Sequence, residues 1–101
     1  MIQNSGSQVI ASGTDAVVGT SGKPTRIFAV NFLSGATAGV LVLRNGTSTA
    51  GTVFVTETGV ISTGKTVQYG QTGILFPAGC FLDVDANVTA GVISFAQESS
   101  A

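Results

Sequence analysis

The fold is indicated most clearly by residues 25–46, which read TRIFAVNFLSGATAGVLVLRNG. Two runs rich in β-branched and aromatic side chains, at 25–33 and 40–44, flank a stretch rich in glycine and alanine. The second run ends at Asn45-Gly46, a pair that tolerates the positive φ angles of a hairpin turn. Such runs, bounded by Gly, Thr, Ser and Asn, indicate short strands joined by turns.

The same pattern continues along all 101 residues, and no window shows apolar residues at helical spacing. We predict a single all-β domain over residues 1–101, an antiparallel β-sandwich of jelly-roll or Ig-like type with about eight short strands. The polar ends, residues 1–7 and 97–101, are predicted to be mobile or arm-like. The strand candidates lie at 8–12, 15–19, 25–33, 40–44, 53–57, 65–69, 73–76, 80–85 and 92–97.

The amino-acid composition of the chain argues against several classes of binding partner. Charged residues are 9% of the chain and apolar residues 44%, whereas an ordinary domain has roughly 25% charged residues. The four basic residues are scattered singly, so we expect no nucleic-acid partner, which would require clustered cations. No apolar stretch is long enough to span a bilayer, and the first residues do not resemble a signal peptide. One cysteine allows no internal disulfide, which suits folding in a reducing cytoplasm.

Three strand candidates are apolar on both faces under strict alternation. In 25–33, one face carries Ile27, Ala29 and Leu33, and the other carries Phe28, Val30 and Phe32. The runs at 40–43 and 53–55 are also apolar on both faces. A sandwich offers each sheet only one interior face, so we expect the second face to meet another subunit. The predicted interface residues are Arg26, Ile27, Phe28, Val30, Phe32, Leu41, Leu43, Arg44 and Phe54. For the two arginines, a role in protecting an edge strand from aggregation is an equal alternative.

Residues 59–66, GVISTGKT, match the phosphate-binding pattern G-x-x-x-x-G-K-[ST] at every fixed position. In that motif Lys65 would reach the terminal phosphates and Thr66 would hold Mg²⁺. The motif requires a helix after the lysine, because the helix N-terminus forms part of the anion site. The residues that follow read as strand and turn, so we interpret the match as a hairpin turn.

Other side chains with reactive or ligating groups are better explained structurally. Asp83 and Asp85 alternate on one strand near Asn87, but a Ca²⁺ site usually needs more oxygen ligands, so we expect a solvated strand face. Cys80 has no histidine partner, since the chain contains none, and is predicted to be a buried structural thiol. We therefore predict no catalytic, cofactor-binding or metal-binding residues.

The order of strands and turns resembles small virion proteins of tailed bacteriophages. The likeness is carried by residues 23–31, 35–47 and 73–84, followed by a Gly/Thr turn and a last strand, and it covers residues 23–97. Proteins of this kind are small β-sandwiches that decorate or cement capsids or occupy tail positions. The resemblance implies no catalytic residues.

These observations lead to one main hypothesis and several alternatives. We expect a non-enzymatic virion protein, a capsid decoration or cement subunit. We expect it to form a homo-oligomer such as a trimer, to contact the major capsid protein or other virion proteins, and to be assembled in a host cytoplasm. A tail or fibre-attachment component is an alternative position in the particle. A carbohydrate-binding module for host-surface glycans is a further alternative, with Tyr69 as the obvious aromatic platform. An ATP-hydrolysing enzyme dependent on Lys65 is the least favoured.

Overall fold

The computed structural model describes residues 3–98, and this part of the chain contains nine strands and no helix. The predicted all-β class is therefore confirmed. The strands are β1 (Gln3–Ile10), β2 (Ala16–Val17), β3 (Thr25–Ser34), β4 (Val40–Asn45), β5 (Thr52–Thr58), β6 (Gly64–Gln68), β7 (Ile74–Phe76), β8 (Cys80–Val84) and β9 (Val88–Glu98).

The strands form two antiparallel sheets that pack face to face. The first sheet has the order β1-β9-β3-β6, with β7 also paired to β3, and the second has the order β2-β8-β4-β5. Four of the pairs are nested in sequence: β1 with β9, β2 with β8, β3 with β6, and β4 with β5. A nested antiparallel ladder rolled into two sheets is a jelly roll, so the structure agrees with the jelly-roll form of the predicted sandwich and not with the Ig-like form.

Strands β6 and β7 act as one interrupted strand. Strand β6 pairs with residues 29–33 of β3, and β7 pairs with residues 25–27, along the same edge. Residues 69–73 loop out between them, held by the Tyr69 amide, which donates to the Phe28 carbonyl at 2.8 Å. When β6 and β7 are counted as one strand, the fold has eight strands, which agrees with the predicted number.

A β-bulge in β3 changes which residues lie on each face of this strand, compared with the faces predicted by strict alternation. Ile27 is paired with Phe95 and Ala29 with Ser94, so Phe28 is an extra residue with no partner on β9. A bulge shifts the alternation by one position. Ile27, Val30 and Phe32 are consequently all buried on the inner face.

The core between the sheets accounts for five of the nine predicted interface residues, because these side chains are buried against their own domain. A residue buried in its own core cannot contact a second subunit, so the interface prediction is corrected for Ile27, Val30, Phe32, Leu41 and Leu43. The buried core consists of Ile10, Val18, Ile27, Val30, Phe32, Leu41, Leu43, Phe76, Cys80, Leu82, Val84, Val88, Ile93 and Phe95.

Parts of both predicted mobile or arm-like ends form strand where the structure describes them. Strand β1 begins at Gln3 and pairs residue by residue with β9, which extends to Glu98. Polar residues with low β-propensity are strand here because the neighbouring β9 supplies their hydrogen-bond partners. The remainder of the predicted segments, residues 1–2 and 99–101, lies outside the described residues.

Candidate interaction surface

The outer face of the first sheet consists of cross-strand rows whose members are fixed by the strand registers. Side chains directly opposite one another in a sheet share a face. The rows are Val9-Val92-Asn31-Thr66, Ser7-Ser94-Ala29-Gln68 and Ala96-Arg26-Leu75. We call these residues, together with Phe28 and Leu33, the outer face.

This outer face is almost uncharged and carries four exposed large aliphatic side chains among small polar residues. Its large aliphatic side chains are exposed: Val9 by 75%, Val92 and Leu33 by 41% each, and Leu75 by 40%. Arg26 is the one charged residue in the set, and its Nη1 donates to the Thr72 carbonyl at 3.2 Å. Protein interfaces are depleted of charge at their centre, which is the property this surface shares with them.

A shallow groove crosses the outer face along the row of small side chains. It consists of two adjoining hollows of about 260 and 380 Å³, which share Ala29 and Ser94 in their linings. The first is also lined by Val30, Asn31, Thr66 and Val92, and the second by Phe28, Gln68, Gly70 and Gln71. The groove therefore presents amides, hydroxyls and one aromatic ring, without a charged group.

The predicted interface residues that escape burial lie in three places. Arg26 and Phe28 belong to the outer face, and the bulge at Phe28 is what brings its ring to that side. Phe54 sits at a second bulge, between the pairs Leu43–Val55 and Arg44–Val53, and is 43% exposed. The ring of Phe54 packs against the buried ring of Phe76, with the two ring centroids 5.1 Å apart, so it covers one end of the core.

The guanidinium group of Arg44 binds groups within its own domain. Its Nη2 lies 3.1 Å from Asp83 Oδ2, its Nε donates to the same oxygen, and its Nη1 donates to the Gly51 carbonyl. Asp83 is thereby used in an ion pair rather than in a solvated acidic face. Asp85 instead accepts hydrogen bonds from the backbone and side-chain nitrogens of Asn87. The two aspartates thus serve different partners, and residues 3–98 contain no cluster of three potential metal ligands.

The phosphate-motif match covers the connection from β5 to β6, which crosses from one sheet to the other, and the first three residues of β6. It is therefore not the hairpin turn that we predicted, although the expected absence of a following helix holds, since β6 begins at Gly64. Lys65 Nζ lies 3.3 Å from Glu57 Oε1 and donates to the Thr58 carbonyl at 2.9 Å. The Thr66 hydroxyl accepts from Asn31 Nδ2 at 3.1 Å.

Tyr69 cannot serve as an open aromatic platform. Its hydroxyl donates to Glu57 Oε2 at 3.1 Å, and its ring packs against the core as a partly buried side chain. Burial raises the pKa of Tyr69 above its ordinary value, and the negative charge of Glu57 raises it further.

Cys80 is fully buried in the core, as predicted. Desolvation raises the pKa of its thiol to about 12, so the thiolate that a nucleophile requires is not formed near neutral pH.

The sequence analysis did not predict Val9 and Val92 as surface contact residues, although they form an exposed apolar cross-strand pair on the outer face. A usable signal was present, because each is followed directly by an isoleucine, and neighbours in a strand point to opposite faces. Ile10 and Ile93 are buried, which leaves the two valines outside as cross-strand partners.

No protein-family model, curated protein or solved structure matches this chain. Within the part of the chain that the structure describes, no helix is long and apolar enough to cross a membrane.

Proposed function

We propose that this protein is a non-enzymatic structural subunit of a virus particle, a capsid decoration or cement protein that acts through protein–protein contacts. The observation that carries the proposal is the outer face of the first sheet, a nearly uncharged surface with four exposed aliphatic side chains. Such a surface is unfavourable in contact with water and becomes favourable when another protein covers it.

The charge pattern of the face supports a broad contact rather than recognition of an ionic ligand. Arg26 is its single charged residue and already donates to a backbone carbonyl. A shell that repeats one subunit many times gains cohesion from weak apolar contacts at each copy, because the contributions add over the particle.

The architecture is compatible with this role, although a fold alone does not determine function. Double-sheet jelly rolls occur in viral capsid proteins, and also in lectins and cupins. The resemblance to small virion proteins of tailed phages is the reason for proposing a virus particle as the assembly in which the protein acts. A tail or fibre-attachment position would use the same outer face and remains the alternative within this class.

Binding to shells tests the proposal. Shells of the phage that encodes the chain, assembled without it, are mixed with the purified protein and sedimented. We expect the wild type to co-sediment and Leu33→Lys and Leu75→Lys to bind at least about tenfold more weakly, because each variant places a charge in the buried contact.

Thr47→Lys is the matched control, because it adds the same charge at an exposed position in the β4–β5 connection. It should bind like the wild type. A wild-type protein that stays in the supernatant at saturating shell concentration would refute the capsid role.

A glycan-binding role is a second candidate, and the neutral groove is the observation that favours it. Amides of Gln68 and Gln71 beside the Phe28 ring offer hydrogen bonds and an apolar surface without charge, as neutral sugars require. In this version Phe28 replaces Tyr69 as the aromatic contact. A glycan array probed with the wild type and with Gln68→Ala tests it, and an array without hits removes it.

A further inference from the structure

The two sheets end in four edges, and three of them carry features that prevent pairing with another strand. Strand β2 has only two residues. Strand β5 is bulged at Phe54 and carries Glu57. The edge formed by β6 and β7 carries the charge of Lys65 and is interrupted by residues 69–73. Short length, bulges and charges are the devices by which proteins protect sheet edges.

The fourth edge, β1, has none of these features. Its eight residues, QNSGSQVI, contain no charged residue and no proline, and its register with β9 runs from Gln3 to Ile10 without a bulge. Because β1 is the terminal strand of the first sheet, one row of its backbone amides and carbonyls faces away from the sheet.

Strand β1 is also fixed in place, which prepares its edge for binding. Gln8 Nε2 donates to the Val17 carbonyl at 3.0 Å, and Gln8 Oε1 accepts from the Gly19 amide at 2.8 Å. Ile10 anchors the strand end in the core. A strand already held in its bound conformation loses little entropy when a second strand pairs with it.

Beside this edge lies Val9, which at 75% exposure is the most exposed large apolar side chain of the described residues. An additional strand paired with β1 would cover it. The edge therefore combines free backbone groups with an apolar side chain that gains from being covered.

We propose that the β1 edge pairs antiparallel with β1 of a second copy of this chain, so that two first sheets join into one continuous sheet across a two-fold axis. Two copies suit each other because an antiparallel pair of identical strands is self-complementary and β1 carries no charge that would repel its own copy. This junction is two-fold, unlike the trimer expected from the sequence, and it does not depend on a role in virus particles.

The proposed geometry places Ser7, near the middle of β1, close to Ser7 of the second copy. Opposite Cα atoms in an antiparallel pair lie about 4.5–5.5 Å apart, which is within the range that a disulfide spans. The experiment therefore uses Ser7→Cys in a Cys80→Ala background, so that the introduced thiol is the only one in the chain. Thr66→Cys, exposed on β6 at the opposite edge of the same sheet, is the matched control.

Under mild oxidation we expect Ser7→Cys to form a covalent dimer and Thr66→Cys to remain monomeric at the same concentration. Native mass spectrometry of the unmodified chain should show a dimer. Val9→Lys should weaken that dimer at least about tenfold, because it replaces the apolar side chain that the junction would cover with a charge, whereas Thr47→Lys should not.

A wild-type monomer at high micromolar concentration, or equal cross-linking at both cysteine positions, would overturn the proposal. So would a monomer whose β1 edge becomes protected from hydrogen exchange only when a different protein is added. Shell binding is tested with variants on β3 and β7, which β9 separates from the edge of β1, so failure of the edge junction and failure of the capsid role give different results.

Discussion

The side-chain amide of Gln97 donates to the hydroxyl of Thr25 at 2.9 Å inside the core, where both residues are buried. The same amide nitrogen lies 2.8 Å from the Thr20 carbonyl, and Gln97 Oε1 accepts from the Thr20 amide at 2.9 Å. One buried glutamine thus satisfies the backbone of the β2–β3 connection and fastens it to β9.

Replacing this glutamine should be among the most damaging single changes. Gln97→Leu leaves several buried donors and acceptors unpaired, and we expect it to lower the free energy of unfolding by about 2–4 kcal/mol. Gln68→Leu, at an exposed position on the outer face, should change it by less than about 0.5 kcal/mol. Urea unfolding followed by circular dichroism measures both, and equal effects would contradict the role assigned to Gln97.

The bulge at Phe28 predicts an unusual tolerance of deletion. Removing Phe28 places Ala29 after Ile27 and keeps Val30 and Phe32 on the inner face, so the domain should fold with a loss of about 1–3 kcal/mol. Removing Asn31 instead turns Phe32 outward and should abolish folding. Circular dichroism and thermal unfolding of the two deletion variants distinguish these outcomes. A folded Asn31 deletion would show that the phase of β3 is not set by the bulge.

Tyr69 is the only tyrosine, and the chain contains no tryptophan, so absorbance at alkaline pH reports on this residue alone. We expect tyrosinate to appear well above the ordinary pKa, because burial and Glu57 both raise the pKa of Tyr69. Glu57→Gln should lower that pKa towards the ordinary value without restoring it, since burial is the larger cause. Asp85→Asn, which does not contact the hydroxyl, is the control and should leave the titration unchanged.

The buried thiol makes stability fall at alkaline pH. Since burial holds the pKa of Cys80 at about 12 against an ordinary 9.0, the unfolded chain loses this proton first as the pH rises. The stabilisation is complete below pH 9 and is lost as the pH approaches 12. Cys80→Ala should therefore show a smaller loss of unfolding free energy across this window, with the remaining decline above pH 10 arising from Tyr69.

The same burial predicts how Cys80 reacts. A thiol reagent at pH 8 should modify it only in molecules that have unfolded, so its labelling should follow the unfolding transition in urea. Rapid labelling of the native protein would contradict the buried position.

The sequence was sufficient for the all-β class, for most strand positions and for the burial of Cys80, because residue type and turn spacing carry these features directly. It was insufficient for the two faces of β3 and β5. A bulge at Phe28 or Phe54 leaves no mark in composition, yet each one reverses the side on which the neighbouring residues lie. Strict alternation put Phe28 and Val30 on one face of β3, whereas the bulge separates them. On β4, which alternates regularly, the sequence did not show which face was the inner one, so Leu43 was also placed on a predicted interface.

The sequence also did not show which strands pair with one another. The turns at Asn45-Gly46 and Pro77-Ala78-Gly79 both end in glycine, yet the first joins strands of one sheet and the second, from β7 to β8, crosses between sheets. Strand β1 lacks strand-forming residues over much of its length and depends on β9. The outer face follows from these pairings, so it could be recognised only once the register was known.

The position of β9 has a consequence for the order in which the protein is made. Strand β9 is the last of the nine to be synthesised, yet it lies between β1 and β3 in the middle of the first sheet. While a ribosome still holds residues 88–98, β1 and β3 have no strand to join them, and the edge of β3 that pairs with β9 is open. The complete first sheet must therefore form after β9 has emerged. Pairing β9 with β1 closes the loop formed by the rest of the chain, and such long-range pairing gives a folding time of about milliseconds to seconds. During that interval β3 can pair with β6 and β7 on one side only, and its other edge is the open strand edge on which a chaperone would act.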